Sequence, residues 1–162
     1  MRRRLLFLLA GVVVAAAVVI LLIAQRGSGA PGAPVVKDET FLTAETAGVL
    51  AIEGGECFTD PAYSKQAKAD EVVFTKCEGA DNQAFAFFPL TSGSWSSARV
   101  AREGLAGCRS RFEKLWTGDQ RSDLGFYPVL PTQATWEYGD HDVMCVVYRP
   151  DGPLSASVIP RP

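Results

Sequence analysis

Apolar and polar positions divide this chain into one unbroken greasy run and a longer stretch of short, punctuated segments. Leu5 to Ala24 reads LLFLLAGVVVAAAVVILLIA, twenty positions without a charge or strong polar group. As a helix it would span about 30 Å, the thickness of a bilayer's hydrocarbon core. Residues 27–44 follow as an expected flexible linker, whose opening GSGAPGAPVVKDET lacks any apolar period. Beyond it the pattern changes. Gly48–Ile52 (GVLAI) reads as a short strand stopped by Glu53-Gly54-Gly55. Glu71–Cys77 and Gln83–Leu90 are rich in β-branched and aromatic residues, with Asp81 and Asn82 supplying turn chemistry between them, so the two are expected to form a hairpin.

A helix is expected next. Ser94, Ser96 and Ser97 offer capping hydroxyls, and Ala101, Leu105, Cys108, Phe112 and Leu115 recur at helical spacing. Gly104 and Gly107 oppose helix formation by about 1 kcal/mol each relative to Ala, which suggests close approach to a sheet or a kink. Leu124–Leu130 is extended, with Pro128 indicating an edge or a strand end. Pro131–Asp142 reads as an ordered loop, Val143–Arg149 as the most strand-like run, and Leu154–Ile159 as a last strand after Pro150-Asp151-Gly152-Pro153. The order β-β-β-α-β-β-β predicts an α+β fold, a mostly antiparallel sheet covered by one long helix. Three segments result: 1–26, a cytoplasmic N-terminus with a transmembrane signal anchor; 27–44, the linker; and 45–162, one extracytoplasmic domain.

Charge orients the chain. Residues 1–26 hold Arg2, Arg3, Arg4 and Arg26 and no acid, and three of these arginines precede the apolar run. The positive-inside rule then leaves the N-terminus in the cytoplasm and carries the rest across. A cleaved signal peptide is the alternative, but its apolar region is usually about 7–15 residues. Either way the domain lies outside. After residue 26 there are twelve Lys and Arg against eighteen Asp and Glu, a net of −6. Such a domain repels phosphate backbones, so no nucleic-acid partner is expected.

Cys57, Cys77, Cys108 and Cys145 are separated by 19, 30 and 36 residues, with none of the close pairs that zinc sites or thioredoxin-like motifs need. An even number of cysteines outside the cytoplasm points to disulfides, with three pairings open. The expected pairing is Cys57–Cys77, joining the ends of two sequential strands, with Cys108–Cys145 pinning the helix to its sheet.

These residues carry a resemblance. Gly55-Glu56-Cys57, then Val72 through Cys77, then Cys108 on a helix, then Pro131-Thr132 with Trp136, Gly139-Asp140 and Cys145 at fixed intervals resemble the septum-formation domain of actinobacterial envelope proteins. Leu154-Ser155-Ala156-Ser157 is similar to that family's final short strand. The likeness spans residues 47–159. It implies a membrane-anchored module near division septa, with an envelope or divisome protein as partner, and it carries over no catalytic residue. The chain departs from many relatives in having Ala80-Asp81 and Ala84 where they place a Pro-His pair and a Glu, and in having His141 where a basic residue often follows the Gly-Asp pair.

Chemistry-bearing motifs are few. The sole histidine, His141, sits between Asp140 and Asp142, which reads as a turn. There is no Gly-x-Ser-x-Gly elbow, phosphate loop or dinucleotide fingerprint. Catalytic, cofactor-binding and metal residues are therefore none. Trp136, Gly139 and Asp140 are read as structural: Trp136 plugging the gap between helix and sheet, Gly139 allowing a turn, Asp140 capping its amides. The expected function is non-catalytic binding of a protein or envelope partner. The alternatives are an envelope enzyme using a carboxylate pair on a cell-wall substrate, and a structural subunit contacting its complex through the anchor helix.

Overall fold

The computed structural model describes residues 34–64, 69–91 and 93–160. The expected transmembrane helix at Leu5–Ala24 lies outside the described residues. Among the described residues no helix is long and apolar enough to cross a membrane.

The fold is α+β. Among the described residues the strands are β1 (Cys57–Phe58), β2 (Ala62–Ser64), β3 (Ala69–Glu71), β4 (Phe74–Thr75), β5 (Asn82–Pro89), β6 (Gly125–Val129) and β7 (Asp142–Tyr148). Five of them form an antiparallel sheet in the order β4-β1-β5-β7-β6, while β2 and β3 pair as a separate ribbon. A long helix, Ser97–Leu115, covers one face, and a short helix, Gln133–Glu137, precedes β7. β7 lies inside the sheet, between β5 and β6, and is apolar on both faces. Val143 and Cys145 pack under the long helix, whereas Met144, Val146 and Tyr148 join a second core on the opposite face.

That second face is covered by the segment 34–52, which corrects the expected linker. Its boundary at residue 44 does not hold, because Lys37, Leu42 and Ala44 are already buried in the domain. Leu42 is fully buried, and Thr43 pairs in parallel with Leu130 beyond the β6 edge. Val35 N–H donates to Pro150 O at 2.9 Å, so the described chain enters at the end of the sheet where β7 finishes and runs toward the end where β7 starts. An apolar pair, Phe41-Leu42, outweighed the Gly/Pro composition upstream of it.

Other elements differ from expectation for identifiable reasons. Val49–Ala51 is one turn of 3-10 helix rather than a strand. Gly48, at φ 83°, enters that turn so close to Val72 that a Cβ would lie 2.9 Å from its carbonyl oxygen. β4 does not pair with β5 as the hairpin required. β1 lies between them, leaving Val73 and Phe74 half exposed at an edge. Asn82 begins β5 and is fully buried, so it is no turn residue. Part of the expected loop 131–142 is the short helix, capped reciprocally by Thr132 and Thr135. Leu154–Ile159 is irregular: Leu154 N–H bonds Ala80 O, Val158 N–H bonds the Gln83 side chain, and Trp116 Nε1–H bonds Val158 O. Backbone bonds at Leu154 and side-chain bonds at Val158 take the place of a ladder there.

The long helix starts at Ser96, whose hydroxyl accepts Arg99 N–H. Its buried stripe is Val100, Gly104, Cys108 and Phe112: Cys108 and Phe112 are buried as expected, but Val100 and Gly104 take the places of Ala101 and Leu105, and Leu115 is exposed. The glycines set this rotation. A Cβ at Gly104 would run into Leu130, and one at Gly107 into the Phe88 ring, so the helix meets the sheet along its two smallest residues. Cys108–Cys145 fixes that contact covalently. Cys57–Cys77 ties β1 to the chain leaving β4, strands adjacent in the sheet but separated in sequence by the β2–β3 ribbon.

Candidate functional site

Across three strands, register places Phe87 of β5 and Val129 of β6 on either side of Met144 of β7. The three side chains make a row on the face away from the long helix. Met144 and Val129 are buried, but Phe87 remains 42 % exposed. The 3-10 turn stands above this row with Val49 and Ile52 directed into the core, while Leu50 is left 70 % exposed. The result is a half-open pocket of about 130 Å³ lined by Ala44, Val49, Leu50, Ile52, Phe87, Val129 and Met144. Its apolar lining is joined by two carboxylates, Asp140 and Asp142.

Local chemistry holds the carboxylates there. The short helix ends at Tyr138, and Gly139 turns the chain at φ 93°. Asp140 N–H then bonds Thr135 O at 3.0 Å, and Asp140 Oδ1 accepts Asp142 N–H at 3.1 Å. Asp142 opens β7 two residues before Met144, so strand alternation puts both on the pocket face. Among the described residues neither carboxylate takes part in an ion pair. The same turn presents Tyr138, which is 94 % exposed.

The residues singled out in the sequence separate at this turn. Trp136 is buried beneath the long helix; its Nε1–H bonds Gly93 O at 3.1 Å, and its ring stacks on His141 with centroids 4.1 Å apart. Arg99 lies over the same indole at 5.2 Å. Gly139 and Asp140 shape the turn, but Asp140 also borders the pocket. Among the described residues no group of three or more His, Cys, Asp or Glu is arranged to hold a metal ion. Leu50 and Phe87 were legible only as apolar residues, since nothing in their spacing distinguishes an exposed pocket rim from core.

A second polar constellation went unread in the sequence. Lys37 Nζ, buried against the sheet, donates to Asp60 Oδ1 at 2.5 Å and to Asn82 Oδ1 at 2.9 Å. Tyr127 Oη–H donates to the same Asn82 oxygen at 2.9 Å, and Asn82 Nδ2 donates to Asp60 Oδ1 at 2.9 Å. Tyr148 Oη accepts Lys37 N–H at 3.0 Å, and the ammonium lies over the Phe41 and Tyr148 rings. Every polar group is partnered and Lys37 is sealed from solvent, so the cluster clamps the entering segment instead of presenting a reactive amine. The adjacent Gln83, on the opposite face, holds the C-terminal segment through Ser157 and Val158. Two consecutive polar residues of β5 thus fasten both ends of the domain.

Burial, reinforced by the Asp60 carboxylate, raises the Tyr127 phenol well above its ordinary value near 10. The folded state keeps a proton that the unfolded chain releases. Stability from this group is therefore complete below about pH 10 and declines as pH rises further. Unfolding midpoints measured between about pH 8 and about pH 11 should fall more steeply for the native chain than for Tyr127→Phe. Equal slopes would show that Tyr127 makes no such contribution.

Compared with known proteins, the chain matches no family model, no curated protein and no solved structure.

Proposed function

We propose that this chain is a non-catalytic, membrane-anchored extracytoplasmic module whose apolar pocket binds a protein of the cell envelope, in the setting of septum formation. The observation that carries the reading is the pocket itself. Leu50 and Phe87 leave apolar surface exposed beside a packed floor, at the end of the sheet remote from where the chain enters. Burying such side chains in a partner is favourable by roughly 25 cal/mol per Å² of apolar area removed from water. The arginine-led apolar run at Leu5–Ala24 supports a single-pass anchor in the plasma membrane with the N-terminus in the cytoplasm. Two disulfides and no free cysteine among the described residues suit an oxidising exterior. The resemblance to septum-formation domains supports the septal setting.

The test is site-specific photo-crosslinking of the full chain in its native membrane. A crosslinking residue at Phe87 is expected to give a discrete adduct that Leu50→Asp removes, whereas one at Leu115, on the helix side, gives none. No adduct from position 87, or equal adducts from both, would count against the reading. A fluorescent fusion should concentrate at septa; uniform membrane distribution through division argues against the septal setting.

One observation favours a second reading, an enzyme acting on a cell-wall substrate, because Asp140 and Asp142 line the same pocket. Paired carboxylates can divide general-acid and general-base roles. Here, however, Asp140 is engaged in holding its own turn. Loss of a measured turnover in folded Asp142→Asn would establish the second reading over the first.

A further inference from the structure

The pocket combines two features that together specify an occupant. Its floor is aliphatic and sulfur-bearing, from Val49, Ile52, Val129 and Met144, and has room for one large apolar side chain. Its border holds two carboxylates that form no ion pair among the described residues, in a chain that carries a net −6 after residue 26. An anionic segment would meet repulsion there. A neutral one would leave both carboxylates without a counter-charge as the contact dried.

We infer that the pocket receives a cationic amphipathic segment of a separate protein, an apolar side chain entering between Leu50 and Phe87 while a neighbouring Lys or Arg reaches Asp140 and Asp142. This rests on the binding reading above and adds the sign and pattern of the partner. Asp140 is already oriented by Asp142 N–H, so one acceptor is held in place before binding. Among the described residues the Asp142 side chain accepts no such bond, and it is exposed, which leaves it open to a cation. A border charge of this kind acts chiefly on partner choice and association rate, whereas the apolar insertion sets how long the complex lasts.

The experiment uses the full chain in neutral-lipid nanodiscs and three short labelled helical peptides as probes: leucine with lysine, leucine with glutamate, and serine with lysine. Binding is read by fluorescence anisotropy at low and high salt. The leucine–lysine peptide should bind, weaken with salt, and lose about tenfold or more in affinity with Asp142→Lys and with Leu50→Asp. The other two peptides should bind at least about tenfold more weakly. Leu50 and Asp142 are both exposed, and intact disulfides together with an unchanged unfolding midpoint confirm that each variant is folded. If Leu50→Asp abolishes binding but Asp142→Lys and the peptide's charge do not matter, the cationic partner is wrong while the pocket reading stands. If binding is indifferent to Leu50→Asp, or the leucine–lysine peptide fails to bind, both fail. A concentration-dependent doubling of mass that Asp142→Lys removes would assign the pocket to a second copy of this chain and overturn the separate partner.

Discussion

Replacing Cys108 and Cys145 together by alanine is expected to lower the unfolding free energy by about 4 kcal/mol, read as a shift in the denaturant midpoint. The bridge closes a ring with a sequence separation of 37, and on the loop-entropy account that constraint alone gives roughly this figure. Both sulfurs are fully buried in the cluster of Leu90, Val100, Leu130, Trp136 and Val143, so their loss also opens a void under the helix. The Cys57–Cys77 ring is shorter, with a separation of 20, and Cys77 is only partly buried. Its removal should cost less, about 3 kcal/mol. Equal or reversed costs would mean that the helix is held by packing alone. For a domain whose total stability lies in the usual range of about 5–15 kcal/mol, either loss is large.

Asn82→Leu is the second substitution expected to act strongly, at about 3–5 kcal/mol. It removes the oxygen that accepts from both Lys37 Nζ and Tyr127 Oη, and the amide that donates to Asp60. Among the described residues, Lys37 Nζ would keep only Asp60, whose side chain is 40 % exposed, as a hydrogen-bond partner, with the Phe41 and Tyr148 rings beside it. Lys37→Met takes away the charge itself, so the double variant should be less destabilised than the sum of the two single ones. A double-mutant cycle that is additive would show that the two side chains do not act as a unit. Because this network clamps the segment from Pro34 onward, hydrogen exchange in residues 35–44 should rise in Asn82→Leu before it rises in β7.

What was legible follows from where local pattern and packing agree. β5, β6, β7 and the long helix could be read because their apolar runs are long and lie where the sheet and helix bury them. The helix was read with Cys108 and Phe112 buried, as they are, but with Ala101 and Leu105 in place of Val100 and Gly104, since glycines at 104 and 107 count against burial in a periodicity argument yet here form the contact. β4 was misread for the opposite reason: Val73 and Phe74 look like core residues, but an edge position leaves them half exposed. The entering segment was taken for linker on the strength of the glycines and prolines just upstream of it. Lys37 gave no signal, because a buried lysine is recognisable only once Asp60, Asn82 and two aromatic rings are brought to it from distant parts of the chain. The pocket was hidden likewise. Asp140 and Asp142 read as turn residues, and it takes the register of three strands to set them beside Leu50 and Phe87.

The proposed function requires the domain to reside where thiols are oxidised. The most direct measurement is mass analysis of the full chain taken from its native membrane, alkylated before and after reduction. No alkylation before reduction and four modified cysteines after it is the expected result. Modification of Cys57 or Cys108 before any reductant is added would contradict the extracytoplasmic placement and the function built on it.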